Sequence, residues 1–137
     1  MRAPLFIYCR HAEVADGLLF ISAGGLDWRS SGPMRMTVAC MFEIGSEELN
    51  TDLPFSCSLI DADGQPVTIC DGGEPVELVM QGNLHLRRPA IREAVCSVVN
   101  HPAVFTFESV PLAEGRYQFV LDADSERLAA CSFAVRS

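Results

Sequence analysis

Residues 112–117 constrain the fold more than any other part of this 137-residue chain. They read Leu-Ala-Glu-Gly-Arg-Tyr and lead directly into the alternating stretch 118–122. The spacing Leu-x-x-Gly-x-Tyr is typical of the tyrosine corner of β-sandwiches, in which the tyrosine hydroxyl folds back onto the preceding loop. We therefore expect Tyr117 to begin the penultimate strand. We expect Gly115 to supply a backbone conformation that other residues disfavour.

Alternating apolar residues and turn signals extend this pattern along the whole chain. Residues 34–44 are apolar at every even position, which is the period of a strand with one buried face. Asp16-Gly17 predicts a hairpin, and Gly64 closes a turn after Asp61. No stretch of ten residues shows a helical period. The sequence predicts one domain, residues 1–137, with an all-β, immunoglobulin- or fibronectin-like Greek-key β-sandwich of about eight to ten strands.

Three segments carry more specific expectations. The only tryptophan, Trp28, follows a double glycine, and we expect it to cover one end of the core. Residues 82–92 have the weakest pattern, and we interpret them as a long crossover between sheets. Residues 100–102, Asn-His-Pro, are expected to form a turn between two strands at 94–99 and 104–110.

Composition favours a role in association but leaves an alternative open. Apolar residues make up 49% of the chain, and no apolar run reaches the roughly 18–20 residues that span a bilayer. The apolar excess indicates either a patch covered by another subunit or simply a well-filled core. The net charge is −8, and all ten basic residues are dispersed arginines. A nucleic acid and an anionic membrane are therefore not expected partners.

The six cysteines are expected to be buried thiols. No secretory signal is visible at the N-terminus, so we expect a cytoplasmic protein in which thiols stay reduced. None of the cysteines forms a C-x-x-C pair or follows a zinc-ligand spacing. One disulfide between facing sheets remains the alternative. The six positions are Cys9, Cys40, Cys57, Cys70, Cys96 and Cys131.

Two groups of polar residues resemble ligand sets, and neither is expected to bind a metal. The turns at Asp61-Asp63 and Asp122-Asp124 would form a calcium site only if they met. They are expected at opposite ends of two antiparallel neighbouring strands. In the second group, His11 with Glu13 and Asp16, only His11 and Glu13 share a strand face, and a metal site there would need His85 or His101 as a further ligand.

The order of the turn motifs resembles a family of small bacterial β-sandwich proteins with no established activity. The shared landmarks are Glu47-Glu48-x-Asn50, Asp61-x-Asp63-Gly64-Gln65-Pro66, Gly24-Gly25-x-x-Trp28 and Gly115-x-Tyr117. The resemblance covers nearly the whole chain and implies a small β-sandwich. It supplies no catalytic residues.

The sequence favours a non-enzymatic, cytoplasmic protein-interaction or self-assembly module, for example a homodimer. No catalytic, cofactor-binding or metal-binding residue is assigned, and Gly64, Gly115, Tyr117 and Trp28 are expected to be structural. The alternative is a small-ligand-binding or hydrolytic protein. It would use His85, His101 and the loop 82–92, converging with Glu13 or another carboxylate in a pocket.

Overall fold

A computed structural model describes residues 1–87 and 98–137 of the chain. The described residues form eleven strands and one 3₁₀ turn at Ser46–Glu48, with no α-helix among them, so the all-β prediction is confirmed. Eleven strands exceed the expected eight to ten. None of the described residues forms a helix long and apolar enough to cross a membrane. The strands are β1 (Arg2–Ala15), β2 (Leu18–Gly24), β3 (Trp28–Ser30), β4 (Gly32–Gly45), β5 (Leu53–Asp61), β6 (Thr68–Asp71), β7 (Glu74–Glu77), β8 (Val79–Leu84), β9 (Val98–Leu112), β10 (Gly115–Ala123) and β11 (Glu126–Arg136).

Most of these strands lie in two larger sheets. The first sheet has the order β2-β1-β4-β9, and the second has the order β3-β11-β10-β5-β8. All pairings are antiparallel except that of β3 with β11. β6 and β7 form a separate two-stranded hairpin. The chain passes repeatedly between the sheets, from β4 to β5 and again from β9 to β10.

Side chains from both sheets share one core. The even-numbered residues of β4 from Met36 to Ile44 are fully buried, as their period-two pattern predicts. Met34 departs from the pattern and is exposed, because the pairing of β4 with β9 shifts register between Met34 and Met36. Across the core, the ring of Tyr8 on β1 lies 5.7 Å from that of Phe119 on β10. Such edge-on aromatic contacts add to the free energy of burial.

The short hairpin turns follow directly from their sequences. Asp16 and Gly17 both have positive φ, and so do Asp124 and Ser125 in the loop between β10 and β11. Two consecutive positive φ angles match the right-handed twist of the adjoining strands. At the third turn, Asp61 Oδ1 accepts hydrogen bonds from the amides of Asp63 and Gln65, at 2.9 and 3.0 Å. Gly64 provides the positive φ, 78°, that closes this turn.

The Tyr117 hydroxyl folds back and donates a hydrogen bond to the carbonyl oxygen of Ala113, at 2.9 Å. This contact fixes the connection between β9 and β10 at the point where the chain changes sheets. Gly115 has a φ of 158°, a backbone conformation that residues with a side chain rarely adopt. An added Cβ there would meet the Tyr117 ring at 3.6 Å, which is ordinary contact. The glycine is therefore needed for its backbone conformation and not for the space that a side chain would occupy.

The turn expected at residues 100–102 is wrong. Those residues lie within β9, where Asn100, His101 and Pro102 pair with Glu43, Phe42 and Met41 of β4. A proline lacks the amide hydrogen that a central strand needs, but β9 is at the edge of its sheet, where proline is tolerated. The expected strand at 94–99 falls mostly outside the described residues. The crossover also starts later than expected, because residues 82–84 belong to β8.

Trp28 does not cover the end of the core as expected. Its side chain is 49% exposed on the short strand β3, with the Arg136 guanidinium 5.6 Å from the centre of its ring. The buried side chain on β3 is instead that of Arg29. The physical reason is the period of the strand, since Trp28 and Arg29 must face opposite sides and only one can point inward.

Candidate functional site

The hairpin formed by β1 and β2 folds across the outer face of the first sheet. β2 lies close to β4 and β9, although β1 separates it from them in the sheet order. A small second core lies beneath the hairpin, with Cys9, Ala12 and Ala39 buried and Leu19 and Val104 packed against them. Ala39 belongs to the odd face of β4, so this cluster is separate from the main core. The hairpin therefore covers part of a sheet face that would otherwise be exposed.

Large apolar side chains on this hairpin remain exposed. Leu18 is 61% exposed and Phe20 is 50% exposed, and both lie on the face of β2 opposite Leu19. Val14 and Ile21 are exposed as well, but they lie on the other face of the hairpin, because Val14 pairs with Leu19 and Ile21 pairs with Ala12. We call the exposed pair Leu18 and Phe20, which share one face of β2, the hairpin surface. Clustered apolar side chains of this size on a small protein commonly mark an interaction site.

The backbone of β2 adds a second feature to this surface. β2 is the edge strand of its sheet, and no described strand pairs with its outer side. Edge strands are commonly protected by charged residues, prolines or very short length. β2 has none of these protections, because its seven residues, Leu-Leu-Phe-Ile-Ser-Ala-Gly, include no charge and no proline. The opposite edge strand, β9, carries Pro102, Glu108 and Pro111.

The carboxylate pairs at the two turns do not meet. β5 and β10 are antiparallel neighbours in which Asp61 pairs with Tyr117 and Ser56 pairs with Asp122. Their terminal turns therefore lie at opposite ends of the sheet. His11 and Glu13 lie on the exposed face of the β1–β2 hairpin, opposite Ser22 and Phe20. Within the described ranges, no three His, Cys, Asp or Glu residues come together in a way that would hold a metal ion.

The two histidines of the alternative site have different surroundings. His85 follows β8, and its Nδ1 lies 2.9 Å from Asp52 Oδ1, which also accepts a hydrogen bond from Asn83 at 3.2 Å. These hydrogen bonds lower the pKa of the Asp52 carboxyl. His101 lies on β9 opposite Phe42. No contact joins the two histidines in the part of the chain that the structure describes. Residues 88–92 of the proposed loop lie outside it.

Most of the described cysteines are buried thiols. Cys9, Cys40 and Cys57 are buried and Cys131 is partly buried, whereas Cys70 on β6 is exposed, contrary to expectation. Burial raises the pKa of Cys40 and of Cys131 to about 12 and also raises that of Cys57. A thiol with so high a pKa is a poor nucleophile at neutral pH. Cys96 lies outside the described residues.

The sequence-based expectation of an apolar interaction face named no residues for it. Leu18 and Phe20 look like ordinary strand residues in the sequence, because both faces of β2 are apolar. The sequence nevertheless contained an indication. A strand that directly follows an Asp-Gly turn and is apolar on both faces must expose apolar side chains on the face that the core does not cover. No comparable sequence feature indicated that Arg29 is buried.

Comparison with known proteins gives little further information. No protein-family model matches the chain, and neither does any curated protein. Among solved structures, the chain is similar to Pseudomonas fluorescens alkylpurine DNA glycosylase AlkC bound to DNA containing an abasic site analog. The sequence identity is 11% and the TM-score is 0.49. The match covers 96% of this chain and spans only 30% of the length of that one.

Proposed function

We propose that the chain is a non-enzymatic protein-interaction module that assembles with a second copy of itself through the outer edge of β2. The observation that carries this proposal is an edge strand of seven residues that is uncharged, free of proline and exposed. Pairing two such strands would give the outward backbone amides and carbonyls of β2 partners and would reduce the exposure of Leu18 and Phe20 to water.

A second copy is the partner that fits this edge best. In a two-fold symmetric interface the same strand contributes from both sides, so the surface must complement itself. An uncharged strand meets that requirement, because antiparallel pairing with its own copy places no like charges opposite each other. The apolar side chains at Leu18 and Phe20 then extend the contact beyond the backbone.

The fold that we propose for this module is an immunoglobulin- or fibronectin-like Greek-key sandwich. β1, β4 and β9 would correspond to strands A, B and E, and β11, β10, β5 and β8 to strands G, F, C and C′. The Tyr117 corner between β9 and β10 supports this correspondence, since such corners occur between strands E and F. A cytoplasmic location is part of the proposal, supported by the five free thiols among the described residues.

Light scattering on matched variants tests the proposal. We expect the wild-type chain to pass from monomer to dimer as its concentration rises. Leu18→Glu or Phe20→Glu adds a negative charge from each copy to the interface, and each should keep the chain monomeric. Val76→Glu is the control, because Val76 is an exposed valine on the separate β6–β7 hairpin. A wild-type chain that is monomeric at its highest soluble concentration would refute the proposal, as would a Val76→Glu effect equal to that of Leu18→Glu.

A further inference from the structure

Arginine side chains gather at one cleft of this acidic protein. The cleft has a volume of about 280 Å³, and its walls include Tyr8, Arg10, Trp28, Arg29 and Arg35. None of the lining residues is acidic. The net charge of the chain is −8, so the cleft has a sign opposite to that of the molecule as a whole. A concave site with local positive charge concentrates anions.

Arg29 is the least usual member of the cleft, because it is only 3% exposed and none of the ion pairs among the described residues includes it. Its Nε donates to Ser30 O at 2.8 Å, and its Nη1 donates to Val110 O at 3.0 Å and to Met36 Sδ at 3.2 Å. Nη2 donates to Gly32 O. A guanidinium has five N–H groups, so one remains. These partners satisfy hydrogen bonds and leave the positive charge unbalanced.

Tyr8 supplies a second unused donor. Its side chain is 4% exposed, and its ring packs against Phe119 and Phe133 in the core. The residue also lines the cleft, and its hydroxyl makes no hydrogen bond to any residue of the described ranges. No fully buried side-chain oxygen or nitrogen in the described ranges lacks a hydrogen-bond partner, so the unpaired Tyr8 hydroxyl is one that opens to the cleft. It is therefore available to a molecule that enters the cleft.

The charge of the cleft indicates which anion it suits. Three guanidinium groups line it, and one of them, Arg35, has a carboxylate close by, with Nε 3.2 Å from Glu108 Oε1. The three arginines and the Glu108 carboxylate together give the cleft a net charge of about +2. A phosphate monoester carries nearly two negative charges at neutral pH, whereas a carboxylate carries one. The guanidinium fork also suits phosphate oxygens.

The apolar part of the wall suggests what the phosphate is attached to. Trp28 and Met34 are both exposed at the cleft, and Arg136 contacts the Trp28 ring. The volume is at the lower end of small-molecule sites. We propose that this cleft binds a small phosphate monoester, with Arg10, Arg35 and the Tyr8 hydroxyl on the phosphate and the attached organic group against Trp28.

Fluorescence of the single tryptophan, which lies in the cleft, provides the test, with phenyl phosphate as the probe. We expect saturable binding of phenyl phosphate. Benzoate and phenol should each bind at least tenfold more weakly than phenyl phosphate. Tyr8→Phe keeps the ring and removes one hydrogen bond to a charged group, so binding should weaken about tenfold. The double variant Arg10→Gln/Arg35→Gln should weaken binding more than tenfold. Both arginines are exposed, so this variant should still fold.

Arg127→Gln is the control, because it removes the same charge from the opposite end of β11, where Arg127 pairs with Asp122. It should change phenyl phosphate binding less than twofold. Absence of saturable binding would overturn the proposal. Equal affinity for benzoate would overturn the assignment to phosphate. Unchanged binding in the double variant, or an equal loss in the control, would overturn the assignment to this cleft.

Discussion

The hydroxyl of Tyr117 lies 2.9 Å from the carbonyl oxygen of Ala113 and donates a hydrogen bond to it. This contact closes the loop by which the chain leaves β9 in one sheet and enters β10 in the other. The Tyr117 ring also stacks on Phe133 of β11, with centroids 5.9 Å apart. The Tyr117 side chain thus links the β9–β10 connection to β11, the partner of β10.

Removal of this hydroxyl should reduce stability. Tyr117→Phe keeps the ring contact and loses the hydrogen bond, so we expect the free energy of unfolding to fall by about 1 kcal/mol. Urea denaturation measures the change. Tyr8→Phe is the matched control, because the Tyr8 hydroxyl has no partner among the described residues and its loss should change stability far less. Equal effects in the two variants would show that the Ala113 contact contributes nothing specific.

The thiols should differ in reactivity according to burial. Cys70 is exposed, whereas Cys40 is buried and burial raises its pKa to about 12. Brief treatment with iodoacetamide at neutral pH should label Cys70 well before Cys40 or Cys57, as measured by peptide mass spectrometry. In strong denaturant the three cysteines should react at similar rates. Labelling of Cys40 as fast as Cys70 in the folded chain would contradict the described packing.

The Asp52 carboxyl should respond to the loss of His85. The hydrogen bond from His85, followed by that from Asn83, lowers the pKa of Asp52 in the folded chain. The small stabilisation from this site is therefore present above the ordinary aspartate pKa of about 3.9 and is lost as the pH falls through the lower folded value.

His85→Ala should raise the pKa of Asp52 toward its ordinary value, as followed by carbon-13 NMR of the carboxyl group. His11→Ala, which removes an exposed histidine from the β1–β2 hairpin, should leave the Asp52 titration unchanged. If Asp52 titrates identically in wild type and in His85→Ala, then the hydrogen bond between Asp52 and His85 does not persist in solution.

Salt should strengthen self-association. Each copy carries a net charge of −8, and two copies repel each other at low ionic strength. The screening length falls from about 30 Å at 10 mM to about 3 Å at 1 M salt, so the dimer should tighten several-fold over that range. Sedimentation equilibrium at several salt concentrations measures this. A dimer that loosens with added salt would indicate an interface held by ion pairs instead of by the apolar edge.

The features of the fold that were predictable from sequence are local ones. The even face of β4 from Met36 to Ile44 follows from period-two alternation, because each position needs only its own neighbours to define its face. The Asp16-Gly17 turn similarly depends on the intrinsic φ preferences of two residues.

The features that sequence did not reveal depend on distant neighbours. Pro102 suggests a turn by itself, yet it fits within β9 because that strand is at the edge of its sheet. The choice between Trp28 and Arg29 for the interior of β3 depends on the carbonyls of Gly32 and Val110, which only the folded chain brings to the guanidinium. The hairpin surface is likewise defined by the fold of β2 across the first sheet, which covers Leu19 and leaves Leu18 exposed.

Amide hydrogen exchange along β2 tests the central claim most directly, because it detects pairing at the edge strand itself. The outward amides of Leu18–Gly24 have no described strand partner in a single copy and should exchange rapidly in dilute solution. We predict that every second amide of this strand slows as the concentration rises, and that Leu18→Glu abolishes the slowing. Exchange rates along β2 that stay the same at all concentrations would contradict assembly through this edge.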